Sequence, residues 1–419
     1  MCHLTPRVNR RLCLMKWLLV LLFIAFSLSA TMTEGLAQPP APENLRTRTL
    51  QLPDEPFCYA DPQLPAHFSE VADRFDNTPS DNPITDHGAT LGRVLFYDVS
   101  LSANGKVSCA SCHQQKLAFT DGVKFSTGFD GRKVRRNSMS LINLRYYRRG
   151  RFFWDERAAS LEDQVLQPIE NPIEMGHQLS ALVRQLQRDA IYPPLFQAAF
   201  GTPEITSERI ARALAQFVRS IVSFRSRYDV GRDSVETVYE PFPNFTDQEN
   251  YGKLMFLTRG GCATCHLHDD RDETPPAPFD EFAEPDLQRQ SAFFVVDRPV
   301  VNGIDADVEG VDIGVAEFSQ RQQDRGAFRV SSLRNIAVTG PFMHDGRLPT
   351  IDSVLEHYNW SVKPHPNLDP RLADIAANGL ALPEKEKVAL AAFLETLTDH
   401  ELLSDPKFSN PFAPANATE

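Results

Sequence analysis

A mostly α-helical protein made of two similar halves is what the 419-residue chain predicts, and three observations predict it. A helix-like stretch followed by a loop and a Cys-x-x-Cys-His run occurs twice, at Cys109–His113 and at Cys262–His266. Apolar residues recur at three- and four-residue spacing in the longest patterned segments, as on one face of a helix. Alternation of apolar and polar residues, the mark of a half-buried strand, is scarce.

From the N-terminus, Arg7, Arg10, Arg11 and Lys16 precede an apolar run from Trp17 to Leu28, and small residues lead on to Gly35-Leu36-Ala37. This order predicts a secretory signal over residues 1–37 and export to the periplasm. The apolar run is shorter than the roughly 20 residues that a spanning helix needs, so no stable membrane span is expected after cleavage. A retained anchor is the alternative reading. The signal carries those four basic residues and one acidic one, Glu34, so removing it takes the formal charge from −12 to −15. So acidic a chain is a poor partner for nucleic acid. It suits a basic redox protein better.

Residues 38–85 are rich in Pro and polar residues and predict an irregular N-terminal extension. Leu91 to Tyr97 reads as a helix entering the first Cys-x-x-Cys-His loop, within a domain over 86–235. From Ser207 to Phe224, Ile210, Leu214, Phe217, Val218, Ile221 and Val222 repeat at helical spacing. The polar stretch after Arg225, as far as Asn244, reads as a linker between domains. Thr246-Asp247-Gln248-Glu249 has the form of a capping box and opens the helix before the second motif, in a domain over 236–405. Pro383 stands in the first turn of a last helix carrying Val388, Ala391, Phe393, Leu394 and Leu397, with Asp399 and His400 closing it. Residues 406–419 are read as a tail. The acidic run 269–273 is read as a solvated loop.

Seven cysteines occur, of which Cys2 and Cys13 lie in the signal and Cys58 stands apart as a lone structural or surface thiol. The other four belong to the two motifs. Cys-x-x-Cys-His is the attachment pattern of c-type haem, in which the thiols bind the porphyrin and the His ligates its iron. Zinc sites and redox dithiols are the rival readings. Neither calls for the adjacent His, and here it stands in both motifs. Chance would supply about 0.003 such runs in a chain of this composition. The fold class is therefore mostly α, with two c-type cytochrome-like domains, each holding one covalent haem, joined by an interdomain interface.

Further segments carry a resemblance. Phe153-Trp154-Asp155-Glu156-Arg157-Ala158 is similar to a Trp-Asp-Gly-Arg element, with Glu156 in place of Gly. Leu161-Glu162-Asp163-Gln164, Pro168-Ile169-Glu170-Asn171-Pro172-Ile173-Glu174-Met175-Gly176 and Thr339-Gly340-Pro341-Phe342-Met343-His344-Asp345-Gly346 follow in order. Together with the two haem motifs they resemble the bacterial di-haem cytochrome c peroxidase and MauG family, over residues 85–400.

The resemblance implies roles. Glu174 would be the distal carboxylate of the haem at His113, beside Gln164, with Pro168 walling the pocket. Heterolysis of hydrogen peroxide needs such a proton carrier, although a lone Glu more often pairs on a surface. Phe129, in Ser126-Thr127-Gly128-Phe129-Asp130, stands where activation-dependent relatives place a blocking His, so the first haem is expected to be five-coordinate at rest. Trp154 would bridge the haems electronically, its plainer reading being core. For the haem at His266 the register from His344 lands on Tyr358 as sixth ligand, as in MauG-like members, with His357 as the neighbouring competitor and Met343 as packing. Asn137, with the carbonyls of Thr339 and Pro341, would hold calcium, or Asn137 would serve its own loop. Arg259-Gly260-Gly261 lacks the Trp that precedes the second motif of MauG.

Three functions remain open. The first is a peroxidase drawing electrons from a small cytochrome c or cupredoxin. The second uses peroxide to oxidise a protein or organic substrate. The third is an electron carrier or sensor without turnover, which has no use for Gln164 and Glu174.

Overall fold

The first helix falls inside the stretch read as irregular. In the computed structural model, Ala66–Phe75 form α1, and Phe68, Ala72 and Phe75 place one apolar face on Tyr146, Val222 and Phe224. The spacing i, i+4, i+7 was present, and the prolines around it masked it. The structure describes residues 49–267, 294, 296 and 298–412. The expected signal, the start of the extension, the acidic run 269–273 and the end of the tail lie outside the described residues.

Helix α2 (Asp86–Tyr97) starts where the Thr85 hydroxyl accepts a hydrogen bond from Gly88 N. It leads through a short loop to α3 (Cys109–Cys112), capped by Ser108 and Ser111. Two single turns, α4 (Leu161–Gln164) and α5 (Gln167–Glu170), precede α6 (Ser207–Ser220). The sequence pattern extends that helix to Phe224. It stops at Ser220 because Asn143 takes over the backbone: Asn143 N donates to Ile221 O at 2.9 Å and Ser223 N to Asn143 Oδ1 at 2.8 Å.

The stretch read as a linker is folded. It contains α7 (Arg227–Arg232), and Tyr228, Val238 and Phe242 are buried in the second core. Its Asp229 is buried and paired from elsewhere in the chain: Arg334 grips it at 2.7 and 2.9 Å, and His67 of α1 reaches it at 3.1 Å. Polarity there signalled a buried ion network rather than solvent.

Helix α8 (Asp247–Leu257) opens on the expected capping box, Thr246 accepting from Glu249 N at 3.2 Å, and runs to α9 (Ala263–His266). Then come α10 (Ile351–Glu356), continued by a π-helical turn over His357–Ser361, and α11 (Ala373–Asn378). The last long helix, α12 (Glu384–Glu395), has Pro383 as its N-cap rather than in its first turn and ends at Thr396, before Asp399. Asp399 instead accepts from Phe224 N and Arg225 N at 3.1 and 3.0 Å, tying the two halves.

Each half is built on one close helix pair, and the two pairs use the same device. A β-carbon at Gly92 of α2 would lie 2.0 Å from the Ala213 carbonyl of α6 and 2.7 Å from Phe217 Cβ. A β-carbon at Gly252 of α8 would lie 1.9 Å from the Ala389 carbonyl of α12 and 2.9 Å from Phe393 Cβ. In both, a glycine on the helix before the Cys-x-x-Cys-His motif admits an Ala/Phe pair four residues apart. The duplication is thus visible in packing where the sequences of the halves differ. Leu402 and Phe408 return to the first core, and Leu50 bridges Phe412, so the segment after α12 closes the first half. Among the described residues the only β-pairing is isolated bridges. The fold is mostly α, with two cytochrome-like halves.

No helix among the described residues is long and apolar enough to cross a membrane. Cys58 is exposed, its thiol 3.5 Å from Asp61 O.

Candidate functional site

One cavity of about 480 Å³ collects the residues singled out around the first motif: Cys109, Cys112, His113, Trp154, Gln164, Pro168 and Glu174 all line it. Helix α3 supplies the thiols, α4 supplies Gln164, and α5 with the loop after it supplies Pro168 and Glu174.

His113 is fixed by its Nδ1, which lies 2.8 Å from Phe119 O. Donation to that carbonyl leaves Nε2 as the free lone pair, the usual arrangement of a metal-ligating imidazole. Burial holds the ring below its ordinary pKa, in the neutral, ligating form. Burial also raises the thiols, Cys109 to about 12 and Cys112 to about 11, opposite to the lowered pKa of a redox dithiol. Lys133, Arg135, Arg136, Arg157 and Arg329 line the same cavity and suit porphyrin carboxylates. Volume, free imidazole nitrogen, paired thiols and cationic wall fit a covalently held haem.

Across this cavity Glu174 is oriented by Asn171, whose Nδ2 donates to Glu174 Oε1 at 2.9 Å. Burial raises the Glu174 pKa, with Arg157 opposing. Asn171 was missed in the sequence, although it stands three residues before Glu174. Phe129 stays out of the cavity. Its ring packs on Gly176, and its N–H donates to Glu174 O at 2.9 Å.

Glu156 does occupy a glycine-type position: its φ is +52°, a region that costs a non-glycine residue about 1 kcal/mol. Two bonds from Arg149, at 2.9 and 2.8 Å, and one from Tyr147 hold it there, buried.

Trp154 donates from Nε1 to Asn137 O at 2.8 Å, and its own carbonyl accepts from Arg329 N at 2.8 Å. From there bonded segments run on to the second motif. Phe328 pairs with Val300 (3.0 Å each way), and Asp369 N donates to Val301 O (3.1 Å). Arg371 bonds Asp369 at 2.8 Å and Thr264 O, inside the second motif, at 3.0 Å. The halves are also joined by buried Arg136, which pairs with Asp155 and with Asp312 at 2.7 and 2.8 Å.

At the second motif, the His266 pKa falls to about 4 through desolvation and Arg371, the Phe294 backbone opposing. Burial and the thiols of Cys265 and Cys262 raise the Tyr358 phenol, while a hydrogen bond with Asn302 opposes them. Leu355, just before the π-turn that holds Tyr358, is buried in the core that contains Ala263 and against which Cys262 packs. The His357 ring packs edge-on against that of Tyr358, with centroids 4.8 Å apart, and its Nε2 lies 3.0 Å from Asn302 O. Asn302 is distant in sequence and carried no signal there; its Nδ2 also meets Met343 Sδ at 3.2 Å.

Asn137 sits against the Thr339–Gly346 loop, its N–H donating to His344 O at 2.8 Å, while its side chain donates to Val123 O at 2.9 Å.

Residues 86–234 match the family model described as di-haem cytochrome c peroxidase. The chain is 32% identical over 325 residues to the methylamine utilization protein MauG of Methylorubrum extorquens, covering 76% of this chain and 80% of that one. It is 30% identical to the cytochrome-c peroxidase IdrP1 of Denitromonas iodatirespirans, covering 80% and 88%. Its fold matches the crystal structure of a MauG-like protein associated with microbial copper homeostasis, with a TM-score of 0.63, 32% identity and coverage of 80% and 96%. Likeness of this extent, across four-fifths or more of each relative, settles the family: the chain belongs to the di-haem cytochrome c peroxidases and MauG proteins, which are haem c oxidoreductases.

Proposed function

We propose that this protein is an exported, periplasmic peroxidase that reduces hydrogen peroxide at the site of His113, with electrons drawn through the site of His266 from a small cytochrome c or cupredoxin. The observation that carries the reading is the shared cavity: Gln164, Pro168 and Glu174 face the space that His113 and its two cysteines also line. A haem bound there supplies the iron at which the O–O bond breaks and the electrons that enter it. Nε2 of His113 would be the protein ligand to that iron. Glu174, aimed by Asn171, takes the proton from one peroxide oxygen and returns it to the other, which leaves as water. Gln164 orients the peroxide by hydrogen bonding, and Pro168 limits how much water shares the pocket. Trp154, bonded to Asn137 and Arg329, is the electronic bridge between the halves.

A second reading is favoured by Tyr358. Tyr358 would be a ligand to a haem held at His266, and an anionic oxygen there would stabilise oxidised iron, which suits an enzyme that stores oxidising equivalents and spends them on a protein or organic substrate. Stopped-flow addition of peroxide to the purified diferric protein separates the two. Rapid oxidation of added reduced cytochrome c supports the peroxidase. A long-lived doubly oxidised protein that ignores cytochrome c supports the second reading.

Calcium belongs to the same proposal. Asn137 Oδ1 and the carbonyls of Thr339 and Pro341 are oxygen donors of the kind calcium takes, with water completing the shell. Elemental analysis after dialysis should give one calcium per chain in wild type and none in Asn137→Ala.

A further inference from the structure

We propose that Trp360 is the port through which electrons pass between the site of His266 and a protein donor. The inference rests on the peroxidase reading above and adds the residue at which the donor is met.

Trp360 is 64% exposed, the most exposed large hydrophobic side chain among the described residues. The other tryptophan described, Trp154, lines the first cavity. Such exposure of an indole forfeits a large burial gain and calls for a reason.

The ring is nevertheless held in place. A β-carbon at Gly379 would lie 2.7 Å from Trp360 Cε3 and 3.0 Å from Cζ3, so the indole rests directly on that backbone. Its neighbour Asn359 is pinned by Leu380 N to its carbonyl at 3.1 Å and by Leu382 N to Oδ1 at 2.8 Å. One face of the ring is seated, and the rest meets solvent.

Its place in the chain gives the direction of transfer. Tyr358 and Trp360 share the π-turn His357–Ser361. Residues two apart on a helical turn face different sides. Here Tyr358 follows closely on Leu355, which is buried in the core that holds Ala263 and against which Cys262 packs, while Trp360 faces out. Their Cα atoms are at most about 7 Å apart. The stretch just before the second motif offers no such route: Arg259 is tied to Glu386 at 2.8 Å and is followed by two glycines. Segment 369–379, on which Trp360 rests, is itself fastened to the motif by Arg371 to Thr264 O at 3.0 Å.

The electron count closes. One hydrogen peroxide takes two electrons and two protons, the protons from solvent, and yields two waters. In each of two passes the indole gives one electron inward to the peroxide-oxidised protein and regains one from the donor. Two donor molecules are each oxidised by one electron, and Trp360 ends unchanged.

The test uses the holoprotein, reduced cytochrome c as donor, and Trp360→Phe and Trp360→Leu. Both substitutions are on the surface, and an unaltered haem spectrum will show that they fold. The expected result is a fall of about tenfold or more in kcat/KM for cytochrome c, with the peroxide reaction of the donor-free protein and turnover with ascorbate unchanged. In a second measurement, peroxide is added without donor and peptides are mapped by mass spectrometry. Oxygen addition at Trp360, absent when Glu174→Gln blocks the peroxide reaction, is expected. Turnover with cytochrome c that is the same in both variants and wild type overturns the port. If wild type does not oxidise cytochrome c, the donor reading above fails; Trp360 oxidation then upholds the port, and its absence overturns it.

Discussion

The Phe129 ring lies on Gly176, so close that a β-carbon there would come within 2.3 Å of Phe129 Cε1. Gly176 has a φ of +64°, so it tolerates both the crowding and the left-handed backbone that the turn after Glu174 requires. The contact keeps an unligating side chain away from the cavity, at the position that the resemblance assigns to a blocking His.

The resting spectrum should report this. Electron paramagnetic resonance of the diferric protein is expected to show one high-spin and one low-spin haem before any reduction. A wholly low-spin, bis-histidine spectrum would contradict the placement of Phe129.

Glu174→Gln should slow the reaction with peroxide by about 10²-fold or more, read by stopped-flow absorbance. Because burial raises the Glu174 pKa and its anionic form accepts the proton, the wild-type rate should drop as pH falls through a value above the ordinary carboxylate pKa. The variant should lack that limb. An unaltered rate in the variant would remove Glu174 from the mechanism.

Replacing Tyr358 with Met should raise the reduction potential of the haem at His266, since a neutral thioether favours reduced iron more than a phenolate does. Spectroelectrochemical titration measures it. No shift in Tyr358→Met, with a shift in His357→Met, would transfer the ligand role to His357.

Acid should weaken the join between the halves. Burial of Asp312 would raise its pKa, but the hydrogen bonds and charge of Arg136 win and bring it down to about 2. A carboxylate lowered on folding stabilises the protein above its unfolded pKa and loses that contribution as pH falls, here between about pH 4 and pH 2. The contribution is about 2 kcal/mol. Denaturant titrations at pH 6, 4 and 3 should show about half of it lost by pH 3 in wild type, and Asp312→Asn should flatten that difference by about 1 kcal/mol.

Gly92→Ala and Gly252→Ala should each destabilise by about 1–3 kcal/mol, the range for overpacking a close contact. Thermal melts of both variants will show whether the two halves depend equally on the same device.

The haem motifs, the acidic balance, the long helices and the capping box at Thr246 were legible because each is local. Covalent chemistry, charge and hydrogen bonds within a few residues need no partner from afar. Even the segments that carry the family likeness are short runs. Helix α1 was legible in principle, but its stripe of Phe68, Ala72 and Phe75 is brief and set among prolines.

What tertiary structure alone decided is where polar side chains find their partners. Sequence could not separate a solvated linker from the buried network of Arg334, Asp229 and His67, since the same charges serve both until a fold brings them within 3.1 Å. Nor does the register, which lands on Tyr358 with His357 beside it, show how the two rings meet. In the π-turn they pack edge-on, 4.8 Å apart, with His357 Nε2 3.0 Å from the Asn302 carbonyl. The chain itself determined that there are two haem sites. Packing determined which side chains line the first of them, because burial and direction belong to the assembled structure rather than to any one residue.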